Sequence, residues 1–258
     1  MTRGVEIESI QAVLPPRTGR APAVVFLPVF RLDQPIIITI DGPAGTGKSS
    51  VARTLAKRLG LDFLDTGAMY RAAALLAIRE GIQVSDHARL VAAVEDADIR
   101  FDWSLDPPEV LAHGQPIGRE LRKAHVTAIV SQVAGIKALR GHMVDRQREI
   151  ARKHPRLVSE GRDQGSVVFP DASVKFYLDA SPEVRAARRA RQLVEAGQSA
   201  DERRLLEEII GRDSSDMGRA DGPLIKPAGG ILVDTSTLEF EQVVDELEQI
   251  VRRKANEP

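Results

Sequence analysis

Residues 36–50 read IIITIDGPAGTGKSS, and the chemistry of the chain begins there. Gly42, four residues, then Gly47-Lys48-Ser49 is the spacing of a loop that wraps a polyphosphate. Its glycines let successive backbone N–H groups turn inward around phosphate oxygens, and the start of the next helix adds the positive end of its dipole. Lys48 is placed to reach the outer phosphates and the Ser49 hydroxyl to ligate Mg²⁺. Gly42, Pro43, Ala44, Gly45, Thr46, Gly47, Lys48, Ser49 and Ser50 are therefore the expected triphosphate-contacting stretch. The context is right, with an apolar β-branched run before the loop and a helix-forming segment after it.

Such a loop does not by itself separate a kinase from a switch GTPase or a motor. The Asn-Lys-x-Asp guanine-reading motif is absent, and no Asp-x-x-Gly switch follows an apolar strand at a suitable place. Arginines and aspartates instead gather at the expected ends of strands and starts of helices. Arg71 follows Asp65-Thr66-Gly67 by one helical turn, where it can fork onto a phosphate. Ser131 and Arg140 lie on or between helices, and Glu160-Gly161-Arg162-Asp163 directly follows a strand. Arg212, Asp216 and Arg219 stand at i, i+4 and i+7, on one face if that segment is helical. Any one of these arginines alone reads as a solvated salt bridge. The joint pattern indicates a second anionic substrate beside the triphosphate.

The elements that must hold these residues alternate. Strands are expected at Ile36 to Ile40, Leu61 to Asp65, Arg156 to Ser159, Val174 to Leu178 and Ile231 to Val233. Between them lie helices from Val51 to Leu59, Ala68 to Glu80 and His87 to Glu95. Glu120 to Lys153 is helical with a break near Gly135, Ser181 to Gly211 forms a long arginine-rich helical stretch, and Glu239 to Arg253 closes the chain. This alternation implies a parallel sheet with helices on both faces. Ala97 to Trp103, Glu109 to Ala112 and the turn near Pro116 add a small antiparallel sheet.

Composition bounds the partners. At 258 residues, 43% hydrophobic, 28% charged and formally −1, the chain is an ordinary globular protein with no polyanion-binding surface signal, so nucleic acid is not expected. Of 36 basic residues 28 are Arg, which suits phosphate but equally follows from genomic base composition. With no cysteine there are no disulfides, which fits a reducing cytoplasm. In residues 1–34 only Ala21 to Phe30 is apolar, it is interrupted by Pro22 and Pro28, and it falls short of the roughly 20 residues a bilayer requires. Glu6 and Glu8 and the lack of a basic leader argue against a signal peptide. Residues 1–34 are left unassigned: a disordered extension, an extra edge strand, or a start assigned too early, the next methionine being Met69.

Six stretches together resemble the bacterial cytidylate kinases, nucleoside monophosphate kinases of the phosphate-loop class. They are ITIDGPAGTGKSSVARTLAKRLG, FLDTGAMYRA, SQVAG with Arg140 following, EGRDQGSVVFPDASVKFYLDASPEVRAARR, RDSSDMGRADGPL and ILVDTSTLEFEQVV, in the family's order from about residue 36 to residue 251. The resemblance implies a three-layer α/β/α core at 35–65, 140–180 and 215–258, a monophosphate-binding lobe at 66–139 carrying the small sheet, and a helical lid at 181–214 within one domain, 35–258. It implies transfer of the γ-phosphoryl of ATP, with Mg²⁺, to CMP or dCMP in pyrimidine nucleotide metabolism, by a cytoplasmic monomer. By it, Arg71 and Arg162 hold the CMP phosphate, Ser131, Arg140, Asp163 and Arg219 surround the cytosine, Arg212 and Asp216 lie near the ribose, and Thr66 and Tyr70 complete the pocket. Arg185, Arg188 and Arg189 belong to the lid, and Lys48, Arg162 and Arg188 are the expected catalytic groups. Departures are modest: Ser50 replaces a common threonine, Gln164 a more usual apolar residue, and Ser214 and Ser215 fill positions often charged. The acceptor is itself a phosphate dianion near neutral pH, its second pKa being about 6, so no general base is needed. The rivals are a kinase acting on UMP, AMP or shikimate, and a nucleotide-binding regulator without turnover.

Overall fold

The computed structural model describes residues 32–195 and 197–256; the expectations for residues 1–31, the run Ala21 to Phe30 among them, lie outside these. Five parallel strands form the central sheet: β1 (Ile36–Asp41), β2 (Asp62–Asp65), β6 (Arg156–Glu160), β7 (Val174–Asp179) and β8 (Ile231–Asp234), in the order β2-β6-β1-β7-β8. β1 thus lies at the centre, with β6 on one side and β7 on the other, and its carboxyl end is the crevice where such sheets bind ligands.

Alternation along β1 sorts the two faces. Ile36, Ile38 and Ile40 join Val158, Phe176, Leu178 and Val233 in a core against α1 (Lys48–Leu59) and α8 (Phe240–Asn256). The opposite face packs on α2 (Thr66–Arg79), α4 (Ala124–Val133) and α5 (Lys137–Lys153) through Leu64, Leu157, Met69, Leu75, Val126, Leu139 and Met143. The two-residue period sends Asp41 to this second face, away from Ile40.

Helix α3 (His87–Asp96) leads into the antiparallel sheet of β3 (Arg100–Asp102), β4 (Glu109–Ala112) and β5 (Gln115–Pro116). β3 is shorter than the expected Ala97 to Trp103 because Ala97 still donates its N–H to Ala93 O, ending α3, and Asp98 turns at φ 43°. The break near Gly135 separates α4 from α5, but α4 begins only at Ala124, since Gly118 to Lys123 forms turns. Ser181 to Gly211 is not one helix. It divides into α6 (Pro182–Glu195) and α7 (Glu202–Met217), with Gly197 at φ 73° between them and the Asp201 carboxylate accepting from Arg204 N at 3.2 Å to cap α7. α7 ends before Arg219, so Arg219 does not share its face with Arg212 and Asp216 as an i+7 residue. A single π-turn at Gln164–Val168, legible in no sequence period, follows β6.

Candidate active site

The loop from Gly42 to Gly47 leaves β1 where only glycine fits. Gly42 has φ 147°, and a Cβ there would overlap the Leu178 carbonyl of β7, standing 3.3 Å from its N. α1 begins at Lys48 with no side chain capping it, so its first-turn N–H groups are open to an anion. Lys48 is buried and folded over the loop, its Nζ donating to Pro43 O at 2.7 Å. Burial, followed by repulsion from Arg162, brings its pKa down to about 7. A phosphate drawn into the loop would restore its charge.

Two carboxylates support this loop: Asp41, to which the sequence assigned no role, and Glu160, read there only as part of the segment that carries Arg162 and Asp163. Glu160, buried at the end of β6, accepts from Ser49 Oγ at 2.8 Å, and burial together with the nearby Asp65 charge pushes it up to about 7. Asp41 accepts from Gln164 N and Gly165 N, both at 2.8 Å, and burial raises it to about 6. Their signal was an acid closing each apolar strand, but that β6 lies beside β1 is a property of the sheet order.

The arginines converge across the sheet edge from this loop. Asp65 caps α2 through Ala68 N at 2.9 Å, and Thr66 Oγ1 donates to Glu160 O at 2.7 Å. One turn on, Arg71 Nη1 donates to Leu121 O at 3.1 Å and Thr127 Oγ1 at 2.8 Å; burial lowers its pKa. Arg140 from α5 pairs with Asp163 in a buried ion pair, donates to Ala134 O at 3.2 Å, and sets its Cζ 5.6 Å from the Tyr70 ring centroid. Burial pushes the Tyr70 hydroxyl up to about 12.

Arg162 Nε donates to Asp216 Oδ2 at 2.8 Å, and Arg219 pairs with the other oxygen of the same carboxylate. Burial opposes the charge of Asp216, yet the two guanidiniums hold its pKa below the usual range. Arg212 is pushed down to about 10 by burial and by Arg162, and its Nε is buried without a partner among the described residues. Lys48, Arg71, Arg162, Arg212 and Arg219 form one electrostatic cluster, tempered by Asp216 between Arg162 and Arg219, by Asp65 beside Arg71 and by Glu160 beside Lys48 and Arg162. Several forked donors gathered in one place, one of them with a buried N–H still unpaired, are what a phosphate monoester would complete.

The lid arginines divide. Arg185 bridges the phosphate loop and α7, donating to Ala44 O at 2.9 Å and Asp213 Oδ2 at 2.6 Å. Arg188 is held beyond β8 by Thr235 O at 2.5 Å and Leu238 O at 3.3 Å, outside the arginine cluster. Arg189 bears on Arg71 through its charge. Ser131 lies in the last turn of α4, just ahead of the Ala134 carbonyl that Arg140 holds. No group of three or more His, Cys, Asp or Glu that could cage a metal occurs among the described residues, and no helix among them is long and apolar enough to cross a membrane.

The family model described as cytidylate kinase matches residues 38–253. A cytidylate kinase of Nocardia farcinica is 42% identical over 222 residues, covering 86% of this chain and 96% of its own. One from Caldanaerobacter subterraneus subsp. tengcongensis is 45% identical over 216 residues, 84% and 94% of the two chains. One from Escherichia coli O1:K1 / APEC is 42% identical over 218 residues, 84% and 96%.

Proposed function

The chain belongs to the cytidylate kinase family, and from that premise we propose that it transfers the γ-phosphoryl of ATP to CMP or dCMP, giving ADP and CDP or dCDP. The observation that carries the acceptor assignment is the gathering of Arg71, Arg162, Arg212 and Arg219, with Arg162 and Arg212 also bearing on Lys48 and the buried Nε of Arg212 left without a partner among the described residues. In this reading Arg71 and Arg162 take the CMP phosphate. Arg140, Asp163, Ser131 and Arg219 read the base, Arg212 and Asp216 meet the ribose, and Thr66 and Tyr70 close the pocket. Asp163 can accept from the exocyclic amine of cytosine while Arg140 donates to its carbonyl, a pairing that uracil cannot reproduce.

Gly42 to Ser50 hold the triphosphate. Lys48 leaves the Pro43 carbonyl for the γ-phosphate, where its positive charge opposes the repulsion between two approaching anions. The hydroxyl of Ser49 and the neighbouring Glu160 present oxygen ligands of the kind Mg²⁺ takes. An ion held by these oxygens would neutralise charge on the transferred group. The acceptor dianion attacks directly, so the residues position and neutralise rather than abstract a proton. Residues 181–214 act as a lid over the donor, excluding water, and 66–139 as the acceptor lobe. Arg185 already ties the lid to the phosphate loop at Ala44 O, while Arg188 has to leave the Thr235 and Leu238 carbonyls to join Arg189 in bringing charge to the transferred group.

ADP release from ATP·Mg²⁺ with CMP, dCMP, UMP, AMP and shikimate offered separately tests the proposal. Turnover dominated by CMP and dCMP supports it. Turnover on another acceptor overturns the assignment of Arg140 and Asp163, and silence on all five overturns the kinase reading.

A further inference from the structure

Beneath the acceptor pocket lies a buried polar chain that the phosphoryl transfer does not use. Ser159 Oγ on β6 donates to Gln164 Oε1 at 2.8 Å, and Gln164 Nε2 donates to Gln147 Oε1 on α5 at 3.1 Å. All three side chains are buried, Ser159 and Gln147 at 0% exposure. Gln147 Nε2 is left with no hydrogen-bond partner among the described residues. A buried amide N–H left unpaired costs more than a made bond returns, so a site that retains one calls for an explanation.

Its surroundings supply one. Arg140, Met143 and Gln147 share the buried face of α5 that looks toward α2, and Arg140 at the head of that face stands over the Tyr70 ring. The hydroxyl of Tyr70 is the polar group on which the Gln147 side chain bears. Gln164 opens the π-turn that begins directly after Arg162 and Asp163, and its amide underlies the Gly161 backbone, where a Cβ would stand 3.0 Å from Nε2. The turn is tied to α5 a second time by Arg148, which donates to Val168 O at 3.1 Å and Val167 O at 3.0 Å.

We propose that Gln147 and Gln164 are positioning residues for the acceptor pocket: their paired amides fix the turn bearing Arg162 and Asp163 against α5, and the remaining N–H of Gln147 donates to the Tyr70 hydroxyl oxygen when the acceptor nucleotide presses on its ring. This rests on the assignment of CMP to the pocket. The pair needs both members, since an apolar residue at either position strands the other amide.

The test compares Gln147→Met, Gln164→Met and the double variant, each near in volume to the parent. Each single change strands a buried amide and lowers the thermal midpoint; the double change removes both amides and recovers part of it, the Ser159 hydroxyl still lacking its Gln164 acceptor. Positioning predicts that KM for CMP rises about three- to tenfold, one hydrogen bond's worth, in both singles and stays raised in the double. The KM for ATP and kcat stay within about twofold. If KM for CMP returns with the thermal midpoint in the double variant, or never moves, the amides only satisfy each other and the proposal is overturned. A second readout is independent of turnover: the chain has 2 tyrosines, so protein labelled with ¹³C at tyrosine Cζ gives two resonances, assigned with Tyr70→Phe. CMP should shift the Tyr70 resonance in the wild type and shift it less in Gln147→Met. Equal shifts in the two proteins overturn the proposal. A wild type that neither turns over CMP nor responds to it overturns the functional reading itself, and the proposal with it.

Discussion

Gly222→Ala strikes the acceptor pocket without replacing a residue proposed to contact substrate. Gly222 sits at φ 63° in the loop after α7, and a methyl there would overlap Arg140 Nη2 and Asp163 Oδ2 and lie 2.7 Å from Arg140 Cζ. Carbon atoms rest at about 3.5–4.0 Å, so the guanidinium must retreat by about 1 Å, or the loop must lift. If the guanidinium gives way, a buried ion pair opens at about 3–5 kcal/mol, and the left-handed conformation adds about 1–2 kcal/mol for a residue with a Cβ. If the loop lifts, the bond from Leu224 N to Asp216 O at 2.9 Å goes, with part of the burial of Leu224. That costs about 2–4 kcal/mol beyond the strain, and it carries Arg219 away. Both routes spoil recognition of the base. Losing one charged hydrogen bond to it, about 1.5–3 kcal/mol, raises KM for CMP by about 10- to 100-fold. Initial rates with CMP varied at saturating ATP·Mg²⁺ give that KM, and calorimetry gives the affinity for ATP, which should hold within about threefold. A folded variant whose KM for CMP moves less than twofold would refute the placement of the cytosine against Arg140 and Asp163.

Lys48→Ala should lower kcat by more than about 100-fold, the cost of a charged transition-state contact, while circular dichroism shows an intact fold; near-normal turnover sinks its role. The buried carboxyl of Asp41, raised from 3.8 to about 6, binds its proton more tightly folded than unfolded, so its stabilising share is complete below pH 4 and is lost as pH rises through 6. Relative to Asp41→Asn, which cannot ionise, the wild type should lose about 2 kcal/mol between pH 4 and pH 7 in urea denaturation. A gain over that interval would show that the two backbone N–H donors outweigh burial.

The donor half of the site was legible because it is contiguous. Strand, glycine loop, lysine and helix follow one another within residues 36–59, and local spacing fixes their geometry. The acceptor half comes from α2, α5, the turn after β6 and the end of α7, and nothing in the spacing of Arg71, Arg140, Arg162 and Arg212 says that they meet. Resemblance to relatives supplied that meeting. Glu160 and Asp41 went unremarked as support because an acid ending a strand gains meaning only when the neighbouring strand is known. The division of the arginine-rich stretch into α6 and α7 was visible in Gly197 followed by Asp201, a stop and a cap, but helical periodicity on either side masked it.

The order β2-β6-β1-β7-β8 has a consequence for a chain emerging from the ribosome. β1, the phosphate loop, α1 and β2 are synthesised before β6, yet β1 and β2 are not neighbours; β6, the strand between them, begins at Arg156, well after β1 at Ile36 and β2 at Asp62. At about 5–20 residues per second the first strands wait roughly 5–20 s for β6, the neighbour they share, and β1 waits longer still for β7. Throughout that interval two short apolar strands stand with unpaired backbone and no parallel neighbour, the condition in which sheets find wrong partners. The nascent chain is therefore most in need of shelter just before the turn that carries Arg162 and Asp163 is released, and a stall in that window would expose the segment that later becomes the centre of the sheet.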